Sequence, residues 1–243
     1  MPVTSRSRTL LAVACVLVSQ VVIAVLVDRT DLIGQVKRGF KPASPREYVL
    51  ETMEYHRRAD PHVPPGAVVF MGDSIVQSLA TSAVAPYAVN YGIGTQTTAA
   101  LLDHLAIYAT SLQRASAVVF SIGVNDVANG RAAGLPERYR LLIDAVPPQT
   151  PVVVSAIGPV IRGVNAVEMT GEIGRVNQTL KEMCARRAAC RYVDTWALFA
   201  GRENGFNPRY FMADGLHLSR QGYNAWIGAL RTALQDVPTP APR

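Results

Sequence analysis

The run Val68-Val69-Phe70-Met71-Gly72-Asp73-Ser74 closes an apolar, β-branched stretch with a glycine, a carboxylate and a hydroxyl, and a helical period of apolar residues (Ile75, Val76, Leu79) begins at once. In open parallel sheets such strand-to-helix junctions form the edge where ligands bind, so Ser74 is the first candidate nucleophile. A serine hydroxyl attacks a carbonyl only when a base takes its proton. Of the four histidines, His217 is the best placed, because Asp214 precedes it by three residues, at most ~10 Å of chain. If that loop curls, the carboxylate holds one ring nitrogen while the other faces Ser74, giving a nucleophile, a base and an orienting acid. Asp73 is expected to turn away and brace its own loop. The developing oxyanion needs fixed donors. Backbone N–H groups at Ser74 and in the Gly94/Thr95 turn, with the Asn125 side-chain amide, supply three, and glycines at 92 and 94 let the backbone come close.

Each of these residues also has a bland reading. Ser74 alone is as good a helix cap, Asn125 alone a turn residue, and Asp214 with His217 a surface ion pair. What separates the readings is the set. Gly72-Asp73-Ser74, Gly92-Ile93-Gly94, Gly123-Val124-Asn125-Asp126 and Asp214-Gly215-Leu216-His217 stand in the order and at the broad spacing of the SGNH, or GDSL-like, hydrolases, and the chain resembles that superfamily from about Ala67 to Leu234. A lone Gly-Asp-Ser is common by chance; four blocks in order are specific. The resemblance implies a flavodoxin-like three-layer α/β/α fold and a serine esterase that forms an acyl-enzyme, with Ser74, His217 and Asp214 as the triad and no cofactor. It also implies oxyanion donors at Ser74, at a glycine of the second block and at Asn125. One departure matters: in sequences reading Asn-x-Gly-Ile-x-Gly the oxyanion glycine is the second of the pair, and that register puts Thr95 there with Gly94 one residue early. Both remain candidates.

The elements that must carry these residues follow from hydrophobic period. Apolar runs at Ala67–Met71, Tyr87–Tyr91, Ala117–Ile122, Pro151–Ile157 and Arg191–Trp196 read as five strands. Thr97–Leu112, Leu135–Val146, Glu168–Ala189 and Ser219 to about Leu234 read as helices, the last capped by Ser219 and burying Tyr223 and Trp226 as core. Alternation of this kind argues for a parallel sheet covered on both faces, and polar residues gather in the loops leaving four of the strands. The Phe199–Met212 segment, with Phe206, Pro208 and Tyr210, leads into the Asp214 loop and can line the substrate pocket. His56, His62 and His104 are expected at the surface or as caps, and none has the spacing of a metal ligand. Gly92-Ile93-Gly94 lacks the third glycine of a dinucleotide loop.

The N-terminal region is separate. Leu10 to Val27 is an apolar stretch broken only by Ser19 and Gln20, preceded by Arg6 and Arg8 and followed by Asp28 and Arg29. Its eighteen residues sit at the short end of what spans a bilayer, and its exit lacks the small residues of a cleavage site. The expected organisation is a short cytoplasmic segment (1–9), a transmembrane signal anchor (10–27), a tether (28–45), an extracytoplasmic catalytic domain (46–236) and a Pro-rich tail (237–243). A formal net charge of +6 with scattered basic residues gives no argument for nucleic acid. Cys184 and Cys190 form a bridge if the domain is exported or remain two buried thiols. The expected partner is an ester: a small ester, a lysophospholipid or an acylated glycan. Acyl transfer or deacetylation on a surface polysaccharide with the same triad, and a non-catalytic tethered binding module, are the competing readings.

Overall fold

A computed structural model describes residues 13, 15–25, 44–201 and 205–236. The chain divides into two compact units, Met1–Tyr48 and Val49–Arg243. In the first, residues 15–25 are helical, yet among the described residues no helix is long and apolar enough to cross a membrane. The spanning helix expected over Leu10–Val27 is therefore not found there. The rest of that stretch, all of the tether but its last two residues, and the 237–243 tail lie outside the described residues. Helix α1 (Pro45–Ala59) begins with a reciprocal cap: Ser44 N–H donates to Glu47 Oε2 (2.7 Å) and Glu47 N–H to Ser44 Oγ (3.2 Å), which satisfies two end groups at once.

The second unit is built on five parallel strands, β1 (Val68–Gly72), β2 (Ala88–Gly92), β3 (Ala117–Ser121), β4 (Val152–Ser155) and β5 (Cys190–Val193), in the order β2-β1-β3-β4-β5. That is the flavodoxin-like order, with its switch point between β1 and β3. Alternate side chains divide between two cores. Val69, Met71, Val118, Phe120, Val152 and Val154 face one; Val68, Phe70, Val119, Val153 and Val193 face the other. The first core is closed by Tyr139 and Leu142 of α6 (Leu135–Asp144) and by Ile173, Val176 and Leu180 of α7 (Ala166–Ala185). The second is closed by Trp226 and Leu230 of α9 (Arg220–Gln235), a helix whose cap is Ser219 Oγ accepting from Gly222 N–H (3.2 Å). A parallel sheet covered on both faces by helices is what these apolar strands require.

Register sets the catalytic edge. Gly72 pairs with Gly92 on one side and Ser121 on the other, so the segments after β1, β2 and β3 leave side by side. Gly72 has to be glycine, since a Cβ there would lie 2.2 Å from the Ser121 carbonyl oxygen. Three expectations need correction. The helix expected over Thr97–Leu112 is broken into α3 (Thr98–Asp103), a 3₁₀ turn (Leu105–Tyr108) and α4 (Ala109–Arg114). Its break is at His104, whose Nδ1 meets the Ala100 carbonyl at 2.6 Å. The strand expected over Arg191–Trp196 stops at Val193, because Asp194 Oδ1 accepts from Ala197 N–H (3.1 Å) and caps helix α8 (Thr195–Phe199). Asp214 and His217 thus follow α8 and a 3₁₀ turn (Pro208–Tyr210) rather than β5 itself. Third, His56 is buried, not at the surface. It packs beside Tyr91 and Tyr108 with Nδ1 3.2 Å from the Tyr108 hydroxyl, and burial pushes its pKa down to about 4. His62 is exposed.

Cys184, at the end of α7, is bonded to Cys190, at the start of β5. The bridge closes a short loop between a helix and the edge strand it packs on. Replacing both cysteines by serine is expected to lower the unfolding free energy by ~2–3 kcal/mol, and a reductant should lower the wild type alone, as read by urea titration.

Candidate active site

The edge of the sheet brings Ser74 and His217 together across 143 positions of sequence. Ser74 opens α2 (Ser74–Gln77), half-buried, and its Oγ lies 2.9 Å from His217 Nε2. His217 Nδ1 is 2.7 Å from Asp214 Oδ2. The other carboxylate oxygen of Asp214 accepts from the backbone N–H of Leu216 (3.0 Å) and of His217 itself (3.0 Å). Partial burial pushes the Asp214 pKa up, but these hydrogen bonds and the nearby ring outweigh it and hold the acid below its ordinary range. An ionised Asp214 accepts only, so Nδ1 carries the hydrogen and Nε2 presents its lone pair to the Ser74 hydroxyl.

Asp73 turns the other way. Its Oδ1 accepts from Ile75 N–H (3.0 Å), capping α2, and it is buried. Burial drives its pKa up to about 7, against the pull of hydrogen bonds from Ile75 and Gly123. Between about pH 4 and 7 the two carboxylates are thus in different protonation states, because one is dry and the other is not.

Of the candidate oxyanion donors, Asn125, in α5 (Val124–Ala128), gives one amide hydrogen to the Gln96 carbonyl (3.0 Å), which fixes the plane of the amide and leaves the second hydrogen for another acceptor. Gly94 N–H already donates to Gln77 Oε1 (2.8 Å). Thr95 N–H donates to no protein acceptor among the described residues, and Thr95 has φ 64°, the one positive value among described non-glycine residues. A β-branched residue in the left-handed region is strained, and such strain tends to persist where a site requires it. The geometry favours Thr95 over Gly94.

Two supports were not legible locally. Asp126, next to Asn125 and fully buried, accepts from Thr98 N–H (2.9 Å), Thr98 Oγ1 (2.7 Å) and Arg138 Nη2 (3.1 Å), tying the third block to the loop of the second. Asn90 lies inside β2 and donates to the Val76 (2.8 Å) and Leu79 (3.0 Å) carbonyls, holding α2 against the sheet. A cavity of about 30 Å³ lies next to these residues, lined by Ile75, Val124, Ile157, Leu216 and Phe199 among others, together with the polar Asp73, Ser121, Ser155 and Thr195. Ile75, Val124 and Leu216 are the sequence neighbours of Ser74, Asn125 and His217. Among the described residues of the expected 199–212 lining, only Phe199 reaches this cavity. No group of three or more His, Cys, Asp or Glu able to hold a metal ion occurs among the described residues.

A family model described as GDSL-like lipase/acylhydrolase matches residues 70–225. The chain belongs to that family. GDSL-like acylhydrolases are serine-dependent hydrolases of esters, and this chain is therefore an enzyme of that class. Solved structures share the fold at low identity. A protein of Streptococcus pneumonia superposes with a TM-score of 0.69 at 21% identity, over 84% of this chain and 99% of that one. The lipase/acylhydrolase from Enterococcus faecalis gives 0.60 at 19%, over 73% and 100%. An acetylxylan esterase from Geobacillus stearothermophilus gives 0.54 at 18%, over 73% and 97%. No functionally curated protein matches the sequence.

The raised Asp73 pKa has a sign that can be checked. The folded protein keeps this proton up to about pH 7, whereas the unfolded chain releases it near ~4. The folded state binds more protons in that window, so Asp73 makes stability fall as pH rises through it. Asp73→Asn is expected to remove that slope, so that unfolding free energies of variant and wild type diverge in the variant's favour between about pH 4 and 7. Thr95→Gly is expected to stabilise by about 1 kcal/mol in the same measurement, by releasing the left-handed strain.

Proposed function

We propose that the enzyme hydrolyses short-chain carboxylic esters through an acyl-enzyme on Ser74. The observation that carries the reading is the continuous chain of contacts from Ser74 Oγ to His217 Nε2 and from His217 Nδ1 to Asp214. In this reading His217 takes the Ser74 proton as Oγ attacks the carbonyl carbon, and Asp214 keeps the ring in the right tautomer and stabilises the imidazolium. The oxyanion is received by the N–H groups of Ser74 and Thr95 and by the free amide hydrogen of Asn125. Collapse expels the alcohol, which takes the proton from His217; water, deprotonated by the same ring, then releases the acid.

The size of the acyl group follows from the cavity beside Ser74. At about 30 Å³ it has room for about two water-sized groups, and apart from Asp73, Ser121, Ser155 and Thr195 its lining is apolar. An acetyl or propionyl group fits it; a long chain has to remain outside. This favours esters of small acids, including acetylated glycans, over bulk lipids. Deacetylation of a surface polysaccharide is the same chemistry with a sugar as leaving group. Transfer differs only in which nucleophile resolves the acyl-enzyme.

The compartment belongs to the proposal as well. A cysteine bridge persists in oxidising surroundings, and the apolar 10–27 stretch with its flanking arginines suits retention at a membrane, with the catalytic unit outside the cytoplasm.

Ser74→Ala should abolish turnover of 4-nitrophenyl acetate and labelling by a fluorophosphonate probe; an unlabelled wild type would instead favour a binding module. Asn125→Ala should lower kcat by ~10²–10³. Across 4-nitrophenyl esters, kcat/KM should fall steeply beyond propionyl, and a flat profile to octanoyl would remove the small-cavity argument.

A further inference from the structure

The loop after β4 does more than line the acyl cavity. Ala156, Ile157 and Gly158 face that cavity; Ile161 and Arg162, a few residues on, lie against the catalytic loop. Ile161 N–H donates to the Gly215 carbonyl (2.8 Å), and Arg162 Nη1 donates to the Ala213 carbonyl (3.2 Å). Gly215 makes room for this arginine: it has φ +70°, and a Cβ there would lie 2.6 Å from Arg162 Cβ and 2.8 Å from its backbone nitrogen. The segment holding Asp214 and His217 is thus moulded around Arg162, whose guanidinium is anchored on the carbonyl of the residue just before Asp214.

Its charge is uncompensated. Arg57, Arg138 and Arg140 are each paired with carboxylates, at Glu54, Asp126, and Glu137 with Asp144. Arg162 is exposed and has no carboxylate partner among the described residues. Asp214, next to its Ala213 contact, is occupied by His217 and two backbone N–H groups. One hydrogen bond to a carbonyl uses one of five guanidinium donors, which leaves the rest of an exposed planar fork for another acceptor.

We propose that Arg162 is a specificity-determining residue that binds an anionic group, phosphate or carboxylate, on the alcohol side of the ester. The inference rests on the esterase reading above. The anion belongs to the alcohol because the acyl side enters a cavity of only about 30 Å³ that is largely apolar and already contains the Asp73 carboxyl, so it has no room for a charged oxygen group beside the acyl carbon and would strip such a group of its water. Arginine suits the task because its fork matches both carboxylate and phosphate geometry. The ester substrate is then a small acyl group on an acidic alcohol, such as an acetylated uronide or an acylated glycerol phosphate.

The test compares two acetates of similar leaving group, neutral 4-nitrophenyl acetate and the carboxylate-bearing 5-acetoxy-2-nitrobenzoate, with wild type, Arg162→Gln and Arg162→Lys. In Arg162→Gln the ratio of kcat/KM on the anionic ester to that on the neutral one should fall ~10–100-fold, mainly through KM. Arg162→Lys should retain most of the ratio, and added salt should erode it in the wild type. An unchanged ratio in Arg162→Gln, or an equal fall on both esters, overturns the assignment, since loss of the Ala213 contact alone would harm both substrates alike. No turnover of either ester by the wild type would overturn the esterase reading itself. A second arm, with 1-acetylglycerol 3-phosphate against an acetylated methyl glucuronoside, identifies the source of the anion: Arg162-dependent turnover of either supports the assignment and names its class, and dependence with neither overturns it.

Discussion

The hydrogen bond from His217 to Asp214 is the contact on which the rest of the catalytic edge depends. One carboxylate performs two jobs there, because the oxygen that does not face the ring accepts the backbone N–H groups of Leu216 and His217. The turn that presents the imidazole and the charge that orients it are one structure. A serine 143 positions away meets that ring at 2.9 Å only because β1 and α9, which carry the two ends, are packed on each other through the second core. Phe70 and Val76 lie in it with Leu218, Trp226 and Leu230, and Tyr223 of α9 reaches from the same helix to the Ile75 carbonyl (2.8 Å).

The other half of the edge is tied by buried charge. Asp126 has no solvent to fall back on, and its three protein donors come from Thr98 and Arg138. Removing a partner from a buried ion strands the remaining charge at a cost of about 3–5 kcal/mol, so the network resists loosening. Its consequence is positional: Asn125, one residue before, is held with its amide against the Gln96 carbonyl, and Thr95 precedes Gln96. The loops of the oxyanion candidates are therefore linked directly by the Asn125–Gln96 hydrogen bond, and Asp126 braces the same two loops through Thr98.

The difference between what was legible in the chain and what was not follows from range. Apolar β-branched runs mark strands by local pattern, and all five were placed. Glycine, asparagine, aspartate and histidine in four ordered blocks mark the site by type, and the sheet gathers them on one rim. Features that failed depend on distant partners. His56 looks like a surface residue on a charged helix until Tyr91 and Tyr108 enclose it. The end of β5 could have been read from Asp194, a helix-capping residue that the apolar run concealed. Gly94 was an equal candidate with Thr95 until the side chain of Gln77, 17 residues earlier, was found on its N–H. Arg162 carries no motif at all; its placement comes entirely from the space left by Gly215.

The two aspartates beside Ser74 and His217 show why residue type alone could not assign their roles. Asp73 is adjacent to Ser74 in sequence, and Asp214 is 140 positions away, yet the distant one serves the histidine. Dehydration keeps Asp73 protonated to about pH 7, so at mildly acidic pH it braces the α2 N-terminus without adding charge. In the proposed mechanism the imidazolium that forms during attack is balanced by Asp214, whose oxygen is in hydrogen-bond contact with the ring. As pH rises past 7 a second negative charge appears under the serine. In the proposed mechanism that charge would favour the protonated ring but oppose the oxyanion forming at the serine, so burial of Asp73 works against a second carboxylate charge at the nucleophile.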